Sequence, residues 1–161
     1  MNEKLNLRLE IGSRTDVGRV RKNNEDACRV LSSLNLFIIS DGMGGQSHGE
    51  IASAIAADTI AAQCSNPCAS DEALTPNDDV QSGDYSEKTK HLATAVLPAN
   101  RDIYEAAPNN LQYRGMGATV VAAWLEGSCL SLVHVGDSRA YLFRGGVLQC
   151  LTADHTWWPS K

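Results

Sequence analysis

From Leu5 to Gly12 apolar residues alternate with polar ones, Leu5, Leu7, Leu9 and Ile11 falling on one side, which is the period of a half-buried strand. After a polar, charged connection over 16–26, the runs Ala27 to Leu31 and Leu36 to Ser40 predict a strand pair joined through Ser32 to Asn35, with LFII apolar enough for a buried sheet. From Gly49 to Gln63 the period changes. Ile51, Ala52, Ile55, Ala56, Thr59 and Ile60 recur at three and four, predicting a helix with one apolar stripe and Ser47 as its cap. A second helix is expected from about His91 to about Ala107, kinked or interrupted by Pro98. Past GMGATVV the period returns to two. Ala118 to Trp124, Cys129 to Val135, Arg139 to Arg144 and Val147 to Leu151 predict four short strands, the last two joined by Gly145-Gly146, a pair suited to a tight hairpin. Strands, then two helices, then a meander predict an α+β fold with antiparallel sheets, without internal repeats.

The stretch from about 65 to 90 stands apart, with two prolines, many acids and almost no large apolar residues; it predicts a mobile polar insertion on a single domain covering 1–161. Its acids lack the ligand alternation and central glycine of a calcium loop. The 14 basic and 19 acidic residues give a net charge of −5, and no basic patch indicates nucleic acid or an anionic membrane as a partner. No run approaches the roughly 18 apolar residues of a membrane span, and MNEKLNLRLEIG lacks the apolar core of a signal peptide, so a cytoplasmic location is expected. The five cysteines offer no zinc-site spacing and are read as reduced packing residues.

The glycine-rich IISDGMGGQSHGE, Ile38 to Glu50, is where chemistry concentrates. A phosphate-cradling loop requires Lys after its final glycine, and that position is Glu50. A dinucleotide motif counted from Gly42 would place its third glycine at Ser47 and face Asp41 against a pyrophosphate. An acid ending a buried strand, followed by residues without bulk, suits a divalent cation, since carboxylate and carbonyl are hard oxygen ligands. A plain structural turn is the rival reading. Two further acidic stations stand at expected strand ends or turns: Glu25-Asp26, and Asp137 after Gly136.

Taken in order, VRKNNED (Val20 to Asp26), SDGMGG (Ser40 to Gly45), GMGATVV (Gly115 to Val121) and HVGDSRAYLFRGG (His134 to Gly146) resemble the motifs of the protein phosphatase 2C family, the metal-dependent serine/threonine phosphatases. The resemblance implies two face-to-face antiparallel sheets with helices outside, a four-layer αββα sandwich. It implies that Asp41 bridges two Mg²⁺ or Mn²⁺ ions, that Gly42 lends its carbonyl, and that Glu25 and Asp26 hold coordinated waters. Arg21 would grip substrate phosphate, and Asp137 would belong to a third, weaker metal position. The implied reaction is hydrolysis of phosphoserine or phosphothreonine by a metal-activated water, with a phosphoprotein as substrate and a serine/threonine kinase as the opposing activity.

Three departures qualify the resemblance. Met43 stands where many eukaryotic members carry a histidine proposed as general acid, and a thioether has no proton to donate; His48 is read as a cap or solvated, His155 as structural. The family's two later metal-binding aspartates have no match, and after Asp137 only Asp154 remains as an acid. Two cations within about 4 Å of each other need several carboxylates to offset their repulsion. The closing TWWPSK also exposes two large apolar faces. The expectation is therefore a C-terminally truncated or frameshifted domain, incomplete in its sheets. Two functions remain open: a phosphatase, or a non-catalytic phosphatase-like fragment that retains phosphopeptide binding through Arg21.

Overall fold

The computed structural model describes residues 8–44, 48–66, 84–109 and 113–155. Their elements follow in the order β1 (Asp26–Leu31), β2 (Leu36–Met43), α1 (Gly49–Ser65), α2 (Glu87–Asn109), β3 (Gly117–Ala118), β4 (Val120–Glu126), β5 (Cys129–Val135), β6 (Tyr141–Arg144) and β7 (Val147–Cys150). The large sheet runs β1-β2-β4-β5 with β3 also on β2, every pair antiparallel, and β6-β7 form a separate hairpin. The architecture is α+β with antiparallel sheets packed with two helices, as the order of periods predicts.

Alternation in β2 sorts its side chains between two environments. Leu36, Ile38 and Ser40 are fully buried on the face that meets α1, while Ile39 is 52% and Met43 55% exposed. Burying Leu36 and Ile38 contributes roughly 1.5–3 kcal/mol each. The helix supplies mostly small residues against them: Ala52, Ser53, Ala56 and Ala57 are buried, with Ile60 as the large one. From α2 come Leu92, Ala95 and Ala99, and from β4 Ala122 and Trp124, all in one core cluster. Arg29 forks onto Asp58 at 2.6 and 3.0 Å and ties β1 to α1. Lys88 lies 4.0 Å above the Trp124 ring, which closes the core beside α2.

Four expectations need correction. Residues 8–12 join no strand, and Leu9 and Ile11 are exposed, because among the described residues no strand edge pairs with them; residues 5–7 lie outside the description. The N-cap of α1 is His48, in left-handed conformation and without a side-chain cap bond, while Ser47 lies outside the described residues. Helix α2 starts at Glu87 and not His91, and it is continuous through Pro98, which removes the interruption and leaves the kink as the other half of that expectation. Its early start has a local cause: Ser86 accepts the Thr89 N–H on its side chain at 3.2 Å and the Lys90 N–H on its carbonyl at 3.0 Å. The polar insertion expected over 65–90 is thereby trimmed at both ends, since Ser65 belongs to α1 and 87–90 to α2. Of the remainder, 67–83 lie outside the described residues.

The Gly145-Gly146 expectation holds. Both have positive φ, 59° and 80°, and Arg144 pairs with Val147 across the turn.

Candidate active site

The β1–β2 ladder sets Asp26 directly opposite Asp41. Both project from the face away from the helices, because Ala27 and Ser40, their inward neighbours, are buried. Placing two carboxylates side by side has an electrostatic consequence. Partial desolvation, then repulsion from and hydrogen bonding to Asp26, hold the Asp41 carboxyl above the usual carboxylate range; Arg21 opposes this, and Asp137 adds to it. Asp26, Arg21 and Asp137 thus all act on one carboxylate, although they come from a strand start, a loop and the turn after β5.

A cavity of about 500 Å³ opens over this point, lined by Arg21, Glu25, Asp41, Gly42, Thr119 and Asp137 among others. The Glu25 carboxylate is taken by the Arg21 guanidinium at 2.5 Å, and its side chain is 11% exposed. Its backbone carbonyl accepts the Gly42 N–H at 2.9 Å and the buried Ser53 hydroxyl at 2.6 Å, which fixes the loop before β1 against both β2 and α1. Gly42 and Gly49 meet back to back. A Cβ on Gly42 would lie 1.9 Å from the Gly49 carbonyl oxygen, and one on Gly49 would lie 2.9 Å from that of Gly42. Only two glycines let β2 run into the start of α1 at this separation.

Opposite Asp41 on its other side stands Thr119, between β3 and β4, and the register is continuous across it, with Ile39 opposite Val121 and Gly42 opposite Ala118. One half of the expected backbone exchange is normal: Thr119 N–H donates to the Asp41 carbonyl at 2.9 Å. The other half is rerouted. The Thr119 carbonyl accepts the buried Ser40 hydroxyl at 2.7 Å, and the Asp41 N–H donates instead to the Thr119 hydroxyl at 3.1 Å. That hydroxyl also bonds Ser138 at 2.5 Å, next to Asp137.

The Asp137 turn is braced from behind. His155 N–H donates to the Gly136 carbonyl at 2.9 Å, His134 bonds the Ala153 carbonyl at 2.8 Å, and Arg139 forks onto Asp154 at 2.8 and 2.5 Å. Asp154 is held below the usual carboxylate range by that guanidinium. These bonds agree with a structural reading of His155. His48 bonds Glu50 at 3.1 Å and packs edge-on to Tyr113, and it does not line the cavity.

Asp26, Asp41 and Asp137 are hard oxygen donors whose mutual repulsion a cation would relieve, which fits a divalent metal better than any soft-ligand site. The fit is one-sided: among the described residues, no three His, Cys, Asp or Glu side chains close around one point as a metal-holding group. Thr119 and Ser40 lay inside motifs recognised in the sequence, yet no spacing rule marks them as neighbours of Asp41. Only the pairing of distant strands reveals it.

Comparison with known proteins gives a consistent result. A family model described as Protein phosphatase 2C matches residues 18–157. The chain is 36% identical over 154 residues to the serine/threonine protein phosphatase PstP of Mycobacterium tuberculosis H37Rv, covering 96% of this chain and 26% of that protein. It is 33% identical over 146 residues to the serine/threonine phosphatase stp of Listeria monocytogenes EGD-e, covering 89% of this chain and 53% of the relative. The crystal structure of the PstP catalytic domain in complex with two manganese ions superposes with a TM-score of 0.68 at 35% identity, over 89% of this chain and 55% of that one. The chain therefore spans at most about half the length of these relatives, with 53% and 55% as the larger shares.

Proposed function

The chain belongs to the protein phosphatase 2C family, and from that membership we propose that it carries the metal-dependent half-site of a protein-serine/threonine phosphatase acting on phosphoproteins. The observation that carries the reading is the facing pair Asp26 and Asp41, with Arg21 and Asp137 acting on the same carboxylate. In this reading Asp41 would hold Mn²⁺ or Mg²⁺, and Gly42 would contribute its carbonyl. Glu25 and Asp26 would hold the waters on that metal, and Asp137 would serve a further metal position. The relative crystallised with two manganese ions supports this choice of cation. When bound, such ions acidify water to a nucleophile near neutral pH and neutralise charge on the phosphoryl oxygens.

Arg21 is the phosphate clamp. Its planar fork matches two phosphate oxygens, and since one of its nitrogens now bonds Glu25, substrate and Glu25 compete for the same guanidinium. Met43 and His48 supply no proton donor to the cavity, and the reading assigns no general acid. The described cysteines, Cys28, Cys64, Cys129 and Cys150, are free, and no described helix is long and apolar enough to cross a membrane. Free thiols support a cytoplasmic setting, where the opposing activity would be a serine/threonine kinase.

Phosphate release from a phosphoserine peptide with and without Mn²⁺ tests the reading. The expected result is Mn²⁺-dependent turnover that falls at least a hundredfold in Asp41→Asn; metal-independent turnover overturns it. A second reading, a non-catalytic phosphopeptide binder, draws on the one-sided ligand set. It predicts peptide binding lost in Arg21→Ala, with no phosphate released under any metal.

A further inference from the structure

Within a regular antiparallel ladder, Asp41 and Thr119 would exchange two backbone bonds. Here a side chain has displaced one of them, and the displacement takes two hydroxyls. Ser40, fully buried, occupies the Thr119 carbonyl, and Thr119 then offers its own hydroxyl to the Asp41 N–H. The same oxygen reaches Ser138, one residue beyond Asp137. A single hydroxyl therefore touches the backbone of one acidic station and the neighbour of another, 78 and 19 residues away in sequence.

The methyl of Thr119 is seated as closely as its hydroxyl. A Cβ on Gly136 would lie 2.8 Å from the Thr119 Cγ2, and Gly136 has φ 95°, so position 136 beside that methyl requires glycine. Thr119 is 3% exposed. Loss of the oxygen would remove the acceptor that the Asp41 N–H now uses and cut the link to Ser138.

We infer that Thr119 is a positioning residue for the metal site: its hydroxyl, through Ser138, fixes the distance between the Asp41 and Asp137 stations. This rests on the metal-site reading above. Groups that orient metal ligands without touching the metal commonly change affinity by about ten- to a hundredfold when lost.

Thr119→Val keeps the branched shape and removes the oxygen; Thr119→Ser keeps the oxygen and removes the methyl. Mn²⁺ titration of the 161-residue chain, followed by the electron paramagnetic resonance signal of free Mn²⁺, needs no turnover. The expected result is about tenfold weaker Mn²⁺ binding in Thr119→Val and binding within about twofold of the parent in Thr119→Ser. Ser138→Ala, which cuts the same link from its other end, is expected to weaken binding as well, and it serves if Thr119→Val does not fold. Unchanged affinity in the folded hydroxyl-deleting variants overturns the inference alone, as does Thr119→Ser binding as poorly as Thr119→Val. A parent chain that takes up no Mn²⁺ removes the metal-site reading and this inference together.

Discussion

The two faces of the large sheet have been put to different uses. Against α1 and α2 the sheet presents Leu36, Ile38, Ala122 and Trp124, all buried in one cluster with the helices. Away from them it presents Asp26 and Asp41 at one end and partly exposed Val30 and Ile39 along its middle. Stability is concentrated on the helical side, and the other side carries groups that repel one another. The same two strands, β1 and β2, serve both because successive side chains alternate between faces. A residue's contribution is thus set by its parity along the strand more than by its chemical type, and neighbours Ile38 and Ile39 make the case.

The largest test of that contrast compares those neighbours. Ile38→Ala is expected to cost about 3 kcal/mol in urea unfolding, through lost burial and the cavity left behind, and Ile39→Ala about 1 kcal/mol or less. Equal losses would mean that the open face is covered in solution. Next comes Gly42→Ala, where the added methyl would overlap the Gly49 carbonyl. An expected loss of about 2 kcal/mol, from overpacking where strand and helix backbones touch, is read from the same unfolding curve.

Asp41→Asn should move stability the other way. A carboxyl whose folded value is raised binds its proton more tightly in the folded chain, so stability is greatest at low pH and is lost as pH rises through that value. Ionised Asp41 therefore opposes folding at neutral pH without metal, and the asparagine variant is expected to melt a few degrees higher in metal-free buffer, by differential scanning calorimetry. Mn²⁺ should raise the melting point of the parent and leave that of Asp41→Asn nearly unchanged.

The smallest effect concerns the far edge of the site, where the sign reverses. Asp154 is depressed by Arg139, so its contribution is present above the ordinary carboxylate value near 4 and disappears as pH falls through the folded value. The protection of amides around Gly136, taken as exchange relative to the intrinsic rate at the same pH, should fall in acid below that window. In Asp154→Asn that protection is expected to be lower at neutral pH and to vary less with pH.

Much of this fold can be read along the chain. The period of two in 129–135 and the Gly145-Gly146 turn give β5 and the β6–β7 hairpin with their limits nearly intact, because both signals are local. Where a signal depended on a partner, the reading failed. Alternation at 8–12 promises a strand, but an unpaired segment forms no ladder. Pro98 promises a kink or a break, and the break does not occur, since packing of Leu92, Ala95 and Ala99 on the core holds α2 together across it.

The acids themselves, and their positions at strand ends and turns, were fixed by the order of residues alone, since turn propensity and strand period act over a few positions. Which acids face one another was decided by tertiary structure: the β1–β2 register puts Asp26 on Asp41, and Glu25 turns to Arg21. The substitution of a Thr119 hydroxyl for a backbone carbonyl beside Asp41 has the same origin. Register and close backbone approach arise from contacts between segments many residues apart, and no local period encodes the partner.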